Sequence, residues 1–552
     1  MKTEVRRQKS VFLLLFLCLG LVAYGLKPAL ANNITVENVS LVDKDTGANT
    51  IDIQFDIAWD NSWYISGAPS ATANWDAAWV FAKYSVYNAG TGTWGDWTHC
   101  TLLNTGNVAP ADSQMSFGAT DSVYKGVFIY RSLADSGSVD WNDAEIRWNY
   151  PAGVADDAMV KVKVFCIEMV LIPGYNAGQG WSGFNFYVGD KDNDNTNCFL
   201  TSDGSYVKDK ALPEYQITSE GAITVGTANG NLYYDADNIY SGDQSGPIPA
   251  AFPKGYNAFY IMKYEISQGQ YKDFLNTLTR TQQNSCTASQ TANYFAMSGN
   301  TAVINRSVIR NPASIPSGVI TFGCDYDGGG TLDGIFNESN DGEWIACNYL
   351  KWADVIAYAD WAALRPFTEL EFEKAARGGQ TAVDDEYAWG TAYIPLSGAY
   401  TLGNSGATNE GIATNYSTTP DYGNCSYSVT DGSIDGPLRC GIFAAHLSNT
   451  GRITSGGSYY GVMELSGNLW ERPVTIGNSA GRDSFTGTHG DGDLATVPSG
   501  WPSGSTASGS GSRGGRWGSD AADARVSGRN YAAFASTDRS NGNGGRCART
   551  SP

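Results

Sequence analysis

Residues 51–57 alternate apolar and polar side chains with a period of two, and this alternation constrains the fold more than any other feature. Ile51, Ile53, Phe55 and Ile57 share one side, with Asp52, Gln54 and Asp56 on the other. Val80, Ala82, Tyr84 and Val86 repeat the pattern, and Val160, Val162, Val164 and Cys166 close the region. Successive side chains of a strand point to opposite faces, so such segments bury one face and wet the other. Clusters of Gly, Asn and Asp separate the runs, which predicts an antiparallel β-sandwich over residues 32–165. Trp59, Trp63, Trp75, Trp79, Trp94 and Trp97 fall within it. They would suit a carbohydrate-stacking platform. Core packing is the favoured reading, because tryptophan brings a large apolar area that is mostly buried.

From residue 166 the pattern changes. Ser267-Gln268-Gly269-Gln270 is a capping box followed by Tyr271, Phe274 and Leu275 at helical spacing. Trp352, Val355, Ile356 and Ala359 mark a second helix. Thr368-Glu369-Leu370-Glu371 caps a third, which stops at Gly378-Gly379. Between them run long Gly/Ser/Asn-rich stretches, notably 477–512. With 65 glycines and only 17% charged residues, the chain reads as loop-rich and strand-rich rather than as a helical bundle. The expected class is α+β. A net charge of −20 argues against a nucleic-acid partner.

The N-terminus carries Lys2, Arg6, Arg7 and Lys9, an apolar run from Val11 to Ala23, and a small-x-small triplet at Ala29-Leu30-Ala31. Residues 1–31 read as a signal peptide, which predicts an exported protein: periplasmic, cell-surface or secreted. No later segment has the length to span a membrane. Of the ten cysteines none forms a Cys-x-x-Cys pair, and the three histidines, His99, His446 and His489, are far apart in sequence. Neither a zinc ribbon nor a histidine metal centre is indicated.

A series of blocks runs in fixed order through the second region. They are Ile167–Gly174, Phe259–Ile266, Arg365–Glu373, Ala375–Gly379, Tyr387–Gly390, Ser466–Glu471, Arg513–Trp517 and Gly545–Arg549. In sequence and order they resemble the formylglycine-generating, or sulfatase-modifying factor, family. The resemblance implies a C-type-lectin-like fold over 166–552, with a small twisted sheet, few helices and much irregular structure. It also implies cysteine oxidation by copper held on two thiolates. Ser519 and Ala524 occupy the matching positions, and neither is a soft ligand, so no copper is expected. A related branch uses non-haem iron with clustered histidines, which this chain does not offer. Structural calcium is implied at Glu464, Gly467, Leu469 and Glu471, a set of hard oxygen donors. The competing reading is that Asn468 and Glu471 merely satisfy loop backbone. Two further acidic loops, Asp190/Asp192/Asp194 and Asp325/Asp327/Asp333, are read as solvated.

The last forty residues divide into two classes. Gly514, Gly515, Trp517, Arg513, Arg529, Arg546 and several alanines form a frame. Interleaved are Gly518, Ser519, Asp520, Asp523, Gly528, Asn530, Tyr531, Phe534, Ser536, Asp538, Ser540, Asn541 and Asn543. Adenine-directed mutation of Asn codons yields residues of that second class but not Lys, Glu, Gln or Met, and residues 513–552 contain none of those four. The segment resembles the variable region of retroelement-diversified proteins. Its thirteen interleaved residues are the expected ligand contacts, of the adaptable kind found in paratopes. The reading is an exported binding protein with an unknown protein or glycan ligand at this C-terminal face. The alternatives are an oxidoreductase of altered chemistry and a structural envelope component.

Overall fold

A computed structural model describes residues 33–66, 73–120, 123–191, 197–205, 212–236, 240–395, 400–428 and 434–552. The expected signal peptide, and Asp192 and Asp194 of the first acidic loop, lie outside these residues. Among the described residues no helix is long and apolar enough to cross a membrane.

The protein is α+β, with one large antiparallel sheet, few helices and extensive irregular structure. Strands β1 (Thr35–Asp45), β2 (Thr50–Ile65), β3 (Asn74–Asn88), β4 (Ser113–Thr120), β5 (Val123–Arg131), β6 (Asp135–Asn149) and β7 (Val160–Ile172) build the N-terminal part. β1, β2 and β6 form one layer. β4, β5, β3 and β7 form the facing layer. The layers join where Tyr64 pairs Trp75 and Ile65 pairs Asn74. Ile53, Phe55, Ile57 and Trp59 of β2 face Val80, Ala82 and Tyr84 of β3, as the alternation requires. Asp52 departs from it. Its carboxylate is buried, held by Arg147 through Nε at 2.7 Å and Nη2 at 2.6 Å.

β3 is buried on both faces. Its second set, Ala77, Trp79 and Phe81, packs into the C-terminal core, and Trp79 Nε1 donates to Ala362 O at 2.9 Å. Burial of a side chain such as Phe81 contributes roughly 1.5–3 kcal/mol. Residues 165 and 166 lie in the middle of β7. That strand pairs with β3 along Val160–Val170 and, at its end, with β8 (Phe259–Met262). β8 pairs in turn with β9 (Ala548–Thr550), near the C-terminus. Of the six tryptophans, Trp59, Trp75 and Trp79 are wholly core, while Trp63, Trp94 and Trp97 are half-buried.

The helices α1 (Gln268–Leu275), α2 (Arg280–Cys286), α3 (Trp352–Trp361) and α4 (Glu369–Arg377) are short, and α1 and α4 are capped where the sequence places boxes. In α4 the Thr368 hydroxyl accepts from Glu371 N at 3.2 Å, while Glu371 Oε2 accepts from Thr368 N at 2.9 Å. Gly378 ends the helix at φ 70°, and a Cβ there would lie 2.3 Å from the Tyr459 ring. Side chains with a Cβ rarely adopt that conformation, so glycine sets the stop.

Candidate ligand-binding site

The C-terminal forty residues are held by buried arginines. Arg513 donates to Glu369 Oε2 at 3.0 Å, to Glu373 Oε1 at 2.5 Å and to Val526 O at 2.8 Å. Arg529 donates to both oxygens of Glu369, at 2.9 and 3.2 Å, and stacks over Tyr234 and Phe199. Burial pushes the Glu369 carboxyl up, but the two guanidiniums outweigh it and hold the group below the usual carboxylate range. Trp517 is buried against Tyr264, Met463 and Leu469. Its Nε1 donates to Asn541 O at 3.2 Å. The frame residues therefore face inward, onto α4 and the Ser466–Glu471 loop.

The interleaved residues come together on the other side. A cavity of about 460 Å³ is walled by Gly518, Ser519, Asp520, Asp523, Tyr531, Phe534, Ser536, Asp538, Ser540 and Asn543. Trp470, Ser512 and Arg516 complete it. Tyr531 and Phe534 do not stand free. Tyr531 stacks on Tyr240 at 5.8 Å and meets Trp470 at 5.3 Å, and Phe534 lies edge-on to Tyr240 at 4.7 Å. A 3-10 turn at Ala521–Ala524 presents Asp520 and Asp523. Three expected contacts lie elsewhere. Gly528 is buried, with its N–H on Arg525 O at 3.2 Å. Asn530 accepts from Asn197 Nδ2 at 3.0 Å. Asn541 reaches Asn305 at 3.3 Å, and its carbonyl serves Trp517. Trp470, Ser512 and Arg516 are not among the expected contacts: Trp470 and Arg516 belong to blocks that read as frame, and Ser512 ends the Gly/Ser/Asn-rich stretch before the segment.

A second constellation surrounds the Ser466–Glu471 loop. Glu464, with φ 55°, accepts from Gly441 N at 2.6 Å. Gly467, with φ 80°, donates to Gly514 O at 2.7 Å. Leu469 N donates to Glu265 Oε1 at 2.9 Å, and Asn468 Nδ2 to Glu265 Oε2 at 2.5 Å. Glu471 accepts from Arg546 Nε. Glu464 Oε2 and Glu471 Oε2 are buried without a hydrogen-bond partner. Burial is the main force raising all three carboxyls. Glu464 reaches about 7 even though Arg546 and the Gly441 N–H pull it down. The neighbouring carboxylates add to the rise at Glu265. Three buried acids thus gather beside Arg546, and two of them, Glu464 and Glu471, keep a buried oxygen that no hydrogen bond satisfies. Glu265 was not foreseen as a member; it lies in the Phe259–Ile266 block, read only as a fold marker.

The remaining candidates have other occupations. Asp325, expected to be solvated, is buried and ion-paired to Arg310. Asp190, also expected to be solvated, is buried and accepts from Ser527 Oγ at 2.7 Å. His99 is buried beside Lys83 at 3.1 Å, His446 stacks on Tyr416 at 3.9 Å, and His489 Nε2 accepts from Thr550 N at 2.9 Å. Cys100, Cys166, Cys286, Cys324, Cys347, Cys425, Cys440 and Cys547 are free thiols. Ser519 lines the cavity and Ala524 is buried beneath it, its carbonyl accepting from Ser466 Oγ at 2.7 Å.

An antiparallel sheet closed by the C-terminal strand, capped short helices and an arginine–glutamate lattice under long loops define an α+β protein with a loop-built face. Residues 209–551 match the sulfatase-modifying factor enzyme 1-like domain, and the chain belongs to that family. No curated protein matches the chain. The Ile167–Gly174 block lies outside the matched residues, in β7 and the turn that follows, next to β8.

Proposed function

We propose that this chain is an exported binding protein that seats its ligand in the cavity formed by the interleaved C-terminal residues. The observation that carries this is the sorting of side chains. Residues of the exchangeable class, scattered from Gly518 to Asn543, wall one cavity, while Arg513, Trp517, Arg529 and Arg546 are buried beneath it. A rigid frame with an adaptable surface is the arrangement that permits sequence change without loss of fold. A retroelement that diversifies the segment accounts for the residue classes. Gene copies from sibling strains test this. They should differ at Asp520, Tyr531 and Asp538 and agree at Arg513, Trp517 and Arg546; the reverse distribution removes the reading.

The family's thiolate–copper chemistry has no ligands at Ser519 and Ala524. Oxygen uptake with a cysteine-containing peptide and Cu(I) should stay at background. Turnover abolished by changing Ser519 or Ala524 would instead make the chain an oxidase. Glu464 and Glu471, with the Gly467 and Leu469 carbonyls, hold a calcium ion in this proposal. Bound there, the ion neutralises buried negative charge and fixes the loop on which Trp470 reaches the cavity.

A further inference from the structure

Resting on that ligand face, we propose that the cavity takes a basic side chain, lysine or arginine, of a protein partner. Asp520, Asp523 and Asp538 bring three carboxylates to its wall, against one guanidinium, Arg516. The other arginines of the segment are committed elsewhere. Arg525 pairs Asp385 at 2.5 Å and Arg539 pairs Asp354 at 2.8 Å, while Arg513, Arg529 and Arg546 are buried on glutamates. Among the described residues neither Asp520 nor Asp538 enters an ion pair, and both are exposed.

The aromatic wall fits the same guest. Trp470, Tyr531 and Phe534 line the cavity, with Tyr240 packed behind the last two. Aromatic faces carry negative quadrupole and attract a lysine ammonium or arginine guanidinium within about 6 Å. They also cover the apolar stem of a long basic side chain, whose head then reaches the carboxylates. The Asp523 carboxyl is held up by burial and, after the opposing Ser519 hydrogen bond, by the Asp520 charge. A cation between the two acids relieves that repulsion. Anionic partners, including sulfated or sialylated glycans and phosphorylated peptides, meet like charge here and on a chain of net charge −20. A neutral glycan stacks on the aromatics without using the acids, and is the alternative that the experiment must separate.

The experiment titrates the full mature chain with four probes, followed by tryptophan fluorescence or NMR. These are capped Gly-Arg-Gly, its uncharged citrulline counterpart, capped Gly-Glu-Gly and lactose. The arginine peptide should bind saturably, about tenfold or more tighter than the citrulline peptide. Its affinity should fall with added salt. The Asp520→Asn/Asp538→Asn double variant should lose about tenfold of arginine-peptide affinity while melting as the parent does. Equal binding of arginine and citrulline peptides overturns the proposal. So does arginine-peptide binding that survives the double variant, saturation by lactose alone, or no saturable binding of the arginine peptide. If citrulline peptide or lactose binds and Tyr531→Ala abolishes it, the ligand face stands and only the charge class is wrong. If arginine-peptide binding is indifferent to both Tyr531→Ala and the acid changes, the face itself is misplaced.

Discussion

Arg513 Nη2 donates to Glu373 Oε1 at 2.5 Å, and both side chains are wholly buried. This contact ties the C-terminal segment to α4, and with Glu369 it makes one connected lattice. Removing one partner of a buried pair leaves an uncompensated charge, at a cost of about 3–5 kcal/mol. Arg513→Ala should therefore lower stability by roughly that amount in urea unfolding. The smaller loss typical of a surface arginine would show that the lattice is peripheral to folding.

Glu464 offers a pH test of the carboxylate cluster. Its carboxyl, raised from 4.5 to about 7 chiefly by burial, binds its proton more tightly in the folded chain. That increment of stability is present below the unfolded value near 4.5 and is lost as pH rises through about 7. In chelator, Glu464→Gln should flatten this fall relative to the parent. Calcium should raise the parent's melting temperature at pH 8 and do so far less in Glu471→Ala, since a ligand stabilises only the state that binds it. A parent melting curve indifferent to chelator at pH 8 counts against the cation.

Lys83 of β3 lies at the junction with the C-terminal part. Its Nζ donates to Gly492 O at 3.0 Å and sits 5.3 Å from the centre of the Trp361 ring. Burial pulls its pKa down from 10.5 to about 7. Between those values the unfolded chain holds a proton that the folded chain has shed, so stability rises with pH. Lys83→Met should make that rise shallower between about pH 7 and 10, read from urea midpoints. Parallel profiles for parent and variant would mean the amine stays charged in the fold.

Much of this was legible in the sequence, and the gaps have physical causes. Capping boxes located α1 and α4 because they are local hydrogen-bond chemistry. The same signal, Thr279 with Gln282, caps α2, and it was there to be read. Alternation found the sandwich face of β3 but not the burial of Ala77 and Phe81, since period two does not tell whether a second layer covers the other face. Residue class picked out most of the cavity wall. It could not foresee that Gly528 is buried or that Asn530 turns to Asn197, because class carries no direction. Glu265 joined Glu464 and Glu471 through tertiary contact, about two hundred residues away in sequence, where no spacing rule reaches.

The division between frame and face predicts opposite behaviour for neighbouring aromatics. Trp517 is 6% exposed, and its backbone N–H donates to Asn468 O at 2.8 Å. Trp517→Ala removes a core ring and should cost about 3–5 kcal/mol. Tyr531 and Phe534 are half-buried at the cavity wall, propped by Tyr240. Because they stack on a neighbour rather than stand free, truncating either should cost about 1 kcal/mol, not zero. Both should weaken ligand binding by about 2 kcal/mol or more, as anchoring aromatics do. Paired measurements of urea midpoint and peptide affinity on the three variants decide it. If Tyr531→Ala and Phe534→Ala unfold the chain as readily as Trp517→Ala, the segment is core throughout and presents no exchangeable face.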